Sequence, residues 1–111
     1  MAILNALASL AVGEMNSAVR WYERLLGRPA DANPMRTLAE WEFDGGGRLQ
    51  IYELPARAGA GSVTLAVSDI DEQVAALDAL GIDTDARSTS ERVKTVMITD
   101  PDGNHIAFAE G

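Results

Sequence analysis

Residues 10–27, LAVGEMNSAVRWYERLLG, return with substitutions as residues 65–81, LAVSDIDEQVAALDALG. At an offset of 55, Leu10 meets Leu65, Val12 meets Val67, Glu14 meets Asp69, Met15 meets Ile70, Val19 meets Val74, Tyr22 meets Leu77 and Leu25 meets Leu80. One residue then drops out, and Gly27 meets Gly81. In a chain of 111 residues an offset near half the length means one unit written twice. The echo continues at an offset of 57, where Gly46 answers Gly103, Leu49 answers Ile106, Ile51 answers Phe108 and Glu53 answers Glu110. We therefore expect a single domain over residues 1–111, with one unit in 1–54, a Gly, Ala and Pro linker in 55–61 and a second unit in 62–111.

Each unit reads as a strand, a helix and further strands. Residues 3–12 form an apolar run in which small alanines alternate with larger residues, as in a strand covered on both faces. Ala18, Val19, Tyr22, Leu25 and Leu26 then recur at helical spacing, with Glu14 or Asn16 placed to cap the start and Gly27 to end the helix. Pro29, Asn33 and Pro34 mark a loop. Residues 35–43 alternate, with Ala39, Trp41 and Phe43 on one face, and the glycines of Asp44-Gly45-Gly46-Gly47 turn the chain into a partner strand at 48–54. In the second unit a strand at 62–67 leads into a helix from Ile70 to Leu80, with Asp69 and Glu72 spaced as a capping box. A short strand is expected at 82–85 and a polar loop at 88–92. The chain closes in a hairpin of 93–99 with 105–110 around Asp100-Pro101-Asp102-Gly103-Asn104.

Composition excludes several classes of function. Seventeen acidic against nine basic side chains give a formal charge of −8, which repels phosphate backbones and anionic membranes, so neither nucleic acid nor membrane is an expected partner. No cysteine is present, which removes disulfides, thiolate catalysis and thiolate metal sites and makes the cytoplasm the default location. The apolar start has no basic leader, and Gly13-Glu14-Met15-Asn16 follows it instead of a cleavage site, so it reads as strand rather than signal peptide.

Two stretches carry a resemblance: Leu10-Ala11-Val12 with Trp21-Tyr22-Glu23-Arg24-Leu25-Leu26-Gly27, and the ending Asp100-Pro101-Asp102-Gly103-Asn104-His105-Ile106. With the internal repeat, they make the chain resemble the vicinal-oxygen-chelate superfamily of glyoxalase I, bleomycin-resistance proteins and extradiol dioxygenases. The resemblance implies an α+β fold of tandem βαβββ units forming a half-open, eight-stranded cup, with helices outside and ligand inside. It also implies a divalent metal in the enzymes of the family, held by His, Gln or Glu. Here the corresponding positions are Leu7, Gln50, Ser62 and Ala107. Alkyl groups donate nothing to such an ion, and a neutral amide or hydroxyl donates little. No metal or other cofactor is therefore expected, and no catalytic residue. A one-residue slip of register would bring in Tyr52 or Glu53, at the cost of turning Leu49 and Ile51 away from the helix.

The cup-facing candidates are Leu7, Ser9, Glu40, Glu42, Gln50, Tyr52, Ser62, Thr64, Met97, His105 and Ala107, with Asn5 and Thr95 beside them. His105, the only histidine, is either a base or ligand contact or a plain exposed residue after a turn, since no orienting partner is visible. Tyr52 either contacts a ligand or fills a wall. Glu40 and Glu42 share a face, as paired carboxylates that bind a cation or as a solvated edge that discourages strand pairing. Trp21, off the apolar helix stripe, is a candidate interface residue. Neither glycine-rich turn precedes a helix, so neither is a phosphate loop. The expected function is metal-independent binding of a small, cationic aromatic or antibiotic-like molecule by a homodimer. The competing expectation is a metal-dependent lyase, isomerase or dioxygenase, for which Gln50, Tyr52, Glu53 and His105 would be the ligands.

Overall fold

The computed structural model describes residues 2–90 and 92–111. Two units of identical topology follow one another. The first comprises β1 (Leu7–Val12), α1 (Met15–Leu26), β2 (Ala32–Met35), β3 (Leu38–Glu42) and β4 (Arg48–Glu53). A short 3-10 turn, Pro55–Arg57, leads to β5 (Ser62–Ala66), α2 (Ile70–Ala79), β6 (Arg87–Thr89), β7 (Lys94–Thr99) and β8 (His105–Glu110). The eight strands form two four-stranded sheets, ordered β1-β4-β3-β2 and β5-β8-β7-β6. In each, the first strand runs parallel to the last and the other pairs are antiparallel. This is the α+β architecture that the repeat and the resemblance imply, with the eight strands divided between two sheets that meet at the edge strands β1 and β5. No helix among the described residues is long and apolar enough to cross a membrane.

Strand parity decides which residues meet the helices. Leu10 and Val12 of β1, Ala39 and Trp41 of β3, and Leu49 and Ile51 of β4 are all fully buried. Their sheet face takes the α1 stripe of Met15, Ala18, Tyr22 and Leu25. Val96, Ile98, Ile106 and Phe108 do the same in the second sheet, against Ile70 and Leu77. Trp41 is buried whole because its indole N–H donates to the Arg28 carbonyl at 3.0 Å. Its removal from water alone contributes about 3 kcal/mol.

Both helices begin in the same way, and the repeated acids explain it. Glu14 caps α1, and its side chain accepts from the backbone N–H groups of Asn16 and Ser17. Asp69 caps α2, accepting from Glu72 N at 3.1 Å. A second acid then reaches over from the last strand of each unit: Glu53 accepts from Met15 N at 2.9 Å, and Glu110 from Ile70 N at 2.8 Å. Carboxylates placed at helix N-termini satisfy orphan donors and complement the helix dipole. Gly27, at φ 77°, closes α1 in the left-handed conformation.

The local differences from the sequence reading have local causes. The first strand begins at Leu7, not Ile3, because its partner β4 starts at Arg48, opposite Leu7, where the glycine turn ends. Residues 35–43 are broken at Arg36 and Thr37, and β2 occupies part of the expected loop at 29–34. Pro34 is tolerated there because β2 is an edge strand, which leaves one side of the backbone without a ladder. The short strand expected at 82–85 is absent. Ile82 N donates to Leu77 O at the end of α2, and Asp85 N to the Asp83 side chain. The edge strand is β6, which takes Ser88 and Thr89 out of the expected polar loop and pairs them with Thr95 and Lys94. Residue 91 of that loop lies outside the described residues.

Candidate functional site

The sheet faces turned away from the helices carry the candidate residues. On the first sheet, register places Leu7 beside Arg48, and Ser9 beside Gln50. It also sets Glu40 beside Gln50, Glu42 beside Arg48 and Leu38 beside Tyr52. The side chains form one connected network. Ser9 Oγ donates to Gln50 Oε1 at 3.1 Å, and Gln50 Nε2 donates to Glu40 Oε2 at 3.0 Å. Arg48 Nη1 donates to Glu40 Oε1 at 3.0 Å. Both Glu40 oxygens are thus engaged, and its side chain is 13% exposed. Glu42 stays 57% exposed, with its nearer oxygen 3.9 Å from Arg48. Arg48 Nε is buried without a hydrogen-bond partner among the described residues.

The second sheet presents Ser62, His105 and Thr99 in one row and Thr64, Ala107 and Met97 in the next. This face holds no carboxylate in those rows. His105 is exposed, and its ring makes no hydrogen bond among the described residues. All eleven predicted residues therefore lie on helix-free faces, six on one sheet and five on the other. Glu53 does not: it sits on the helix side and caps α1, so it is removed from the alternative ligand set.

The four positions that the resemblance matches to metal ligands supply an alkyl group at Leu7, a hydroxyl at Ser62, a methyl at Ala107 and one amide at Gln50. The Gln50 carbonyl oxygen, a neutral donor, already accepts from Ser9. Among the described residues, no three His, Asp or Glu side chains come together in a group that could hold a metal. The residues present do not fit the family's metal.

A hydrogen-bonded joint between the two units centres on Asn104. Asn104, fully buried, donates through Nδ2 to the Ala11 carbonyl and to Asp100 Oδ2, each at 2.8 Å, and accepts from Gly61 N at 2.9 Å. Asp100 Oδ1 accepts from the backbone N–H groups of Asp102, Gly103 and Asn104, while Oδ2 also accepts from Tyr22 Oη at 2.6 Å. Burial pushes the Tyr22 phenol far above its usual range, and the hydrogen bond to Asp100 adds to the shift. The residues that carry the resemblance in the 100–104 turn therefore act as the joint between units. Trp21 stacks edge-on against Tyr22, ring centroids 4.8 Å apart, and is half-buried rather than fully presented. It lines a groove of about 410 Å³ with Arg20, Arg24 and Pro101.

A larger cleft, about 940 Å³, opens between the units at the other end of the junction. Its lining includes Leu25, Leu26, Phe43, Val63, Leu65 and Phe108, with Arg48 and Asp44. Of the candidate set only Leu7 and Thr64 reach it. The network also holds Arg48, which the sequence reading does not single out. It lies two positions before Gln50, on the same strand face, and parity alone could have found it.

A sequence profile of the Glyoxalase/Bleomycin resistance protein/Dioxygenase superfamily matches residues 3–108. The chain belongs to this superfamily. A glyoxalase/bleomycin resistance protein from Catenulispora acidiphila is 36% identical, with 98% of this chain and 99% of that one covered and a TM-score of 0.88. TnmS3, an antibiotic binding protein from Streptomyces sp. CB03234, is 24% identical over 99% and 98% of the two chains, at a TM-score of 0.84. A lactoylglutathione lyase from Agrobacterium tumefaciens is 19% identical over 97% and 93%, at 0.80. At these last two identities the likeness shows the superfamily fold alone. No curated protein sequence matches the chain.

Proposed function

We propose that this superfamily member is a metal-independent, cytoplasmic protein that binds a small molecule on its helix-free sheet faces, and that it works as a homodimer. The observation that carries the reading is the state of Gln50: the one amide at the four metal positions is tied at both ends, to Ser9 and to Glu40. The faces mix apolar side chains, such as Leu7, Met97 and Ala107, with dispersed polar groups, as small-molecule sites do. That an antibiotic-binding protein shares the fold is in keeping with this.

The structure sharpens the charge argument. Glu40 is neutralised by Arg48, so preference for a cationic aromatic ligand rests on the exposed Glu42. In a thermal-shift panel of cationic, neutral and anionic aromatic compounds, we expect cationic compounds to stabilise most. Glu42→Gln should cut that response several-fold, and added salt should weaken it. Mass spectrometry should recover the bound compound unchanged; a product would overturn binding without turnover. Elemental analysis that finds one tightly held divalent ion per chain would overturn metal independence. Sedimentation should give twice the chain mass at micromolar concentration.

A further inference from the structure

Helix α1 carries a cluster of side chains that its fold does not require. Arg20 and Arg24, both exposed and one helical turn apart, stand around the half-buried Trp21 and line with it the groove of about 410 Å³ beside the 100–104 turn. Like charges at that spacing repel each other and destabilise a helix. Arg24, in the last turn, at least complements the helix dipole; Arg20, in the middle, does not. The repeat shows what the scaffold needs at these positions. At the offset of 55, Arg20, Trp21 and Arg24 answer Ala75, Ala76 and Ala79, and α2 keeps its cap and its buried Ile70 and Leu77 with alanine at all three.

The free charge in the groove is cationic, in a chain of formal charge −8. Ion pairs among the described residues use Arg28 and Arg48, so neither Arg20 nor Arg24 is paired there. Two carboxylates also line the groove, and both are engaged elsewhere. Asp100 spends its two oxygens inside the joint, on Tyr22, Asn104 and the backbone N–H groups of its own turn. Asp102 gives one oxygen to Gly13 N at 3.2 Å. Between the charges, the edge-on contact with Tyr22 sets the orientation of the Trp21 indole, and Pro101 adds an apolar surface.

We propose that this groove binds a small aromatic carboxylate, with its ring against the Trp21 indole and its acid group held by Arg20 and Arg24. A guanidinium presents paired donors in the geometry of a carboxylate, and the volume lies in the range of small-molecule sites. With two free cations beside a partly engaged Asp102, a single acid group is favoured over a polyanion. The site lies on α1, apart from the helix-free sheet faces, and its charge preference is the opposite of theirs. It stands independently of the function proposed for those faces.

The two tryptophans permit a direct test by proton–nitrogen correlation spectroscopy of the full chain. Naphthoate should shift the indole N–H signal of Trp21 saturably and leave that of Trp41, which is buried and bonded to the Arg28 carbonyl, in place. Trp21→Phe assigns the two signals. Naphthylmethylamine, of similar size and opposite charge, should leave Trp21 unmoved. Arg20→Gln with Arg24→Gln should raise the naphthoate dissociation constant at least tenfold while the circular dichroism spectrum is kept, and added salt should weaken binding to wild type. An unmoved Trp21 signal, an equal shift with the amine, or a double variant that binds as tightly would overturn the proposal. So would naphthoate shifts confined to β4 and β8, which would put the acid on the sheet faces. If the double variant loses its fold, the comparison of naphthoate with the amine on wild type decides.

Discussion

The repeat makes the two ends of the inter-unit junction equivalent, yet one is locked and the other is open. Both are β-hairpin turns of the same backbone geometry. Gly103 N donates to Asp100 O at 3.0 Å and Asp100 N to Asn104 O at 2.9 Å; Gly46 N donates to Phe43 O at 2.9 Å and Phe43 N to Gly47 O at 2.9 Å. Gly103 and Gly46 have φ of 104° and 96°. What differs is the side chains. Asp100 and Asn104 reach Tyr22 and the Ala11 carbonyl of the other unit and Gly61 of the linker, while their counterparts Phe43 and Gly47 offer a ring and no side chain, and Leu77 stands in the second unit where the first has Tyr22. Turn geometry alone therefore does not join the units. Buried polar side chains with several partners do, and where they are missing a cleft of about 940 Å³ remains.

The sharpest way to break this contrast is Asn104→Ala. It removes three hydrogen bonds and leaves the Gly61 N–H and the Ala11 carbonyl without that partner in a buried place. We expect a loss of about 4 kcal/mol and a fall in Tm of more than about 10 °C by calorimetry. A loss under about 1 kcal/mol would mean that the joint lies elsewhere.

A smaller effect should separate the ends sterically. A Cβ on Gly59, at φ 85°, would lie 2.1 Å from the Asp102 carbonyl oxygen, whereas one on Gly45 meets nothing within 4 Å. Gly59→Ala is expected to cost about 3 kcal/mol and Gly45→Ala less than about 0.5 kcal/mol in urea unfolding. Equal costs would erase the distinction between locked and open ends.

Tyr22→Phe is expected to cost about half as much as Gly59→Ala, about 1.5 kcal/mol at neutral pH. It also carries a pH signature. The unfolded phenol loses its proton near pH 10, whereas the folded one, its pKa raised by burial and Asp100, holds it. The unfolded state then binds fewer protons, so the Tyr22 contribution is complete below about pH 10 and is lost as pH rises toward the folded value. Stability curves of wild type and Tyr22→Phe should converge above pH 10. A constant gap would show that the hydroxyl contributes nothing through its proton.

Much of the local architecture was legible because it is written at short range. Helical spacing from Ala18 to Leu25, the cap at Asp69, and the glycines of both hairpin turns are readable within one or two turns of chain, and their doubling supplied the topology. Parity likewise grouped Ser9, Glu40 and Gln50 on one face. The edge strands β2 and β6 lie outside the expected bounds because an edge strand is half solvated, and neither ANPM in β2 nor the polar RST in β6 has the alternation that burial imposes. Glu53 was misread for a different reason: its partner, the backbone N–H of Met15, is 38 residues away.

What the sequence by itself determined is the repeat, the class of each element in it and which side chains share a strand face, because these follow from backbone periodicity and turn chemistry. Only the tertiary structure decided the chemistry of those faces and the meeting of the units. Arg48 cancels Glu40, Gln50 is held at both ends, and Asn104 bonds Ala11 across 93 residues. Such hydrogen bonds depend on strand register and on the approach of two sheets, and no local pattern encodes a distance between atoms that far apart in the chain.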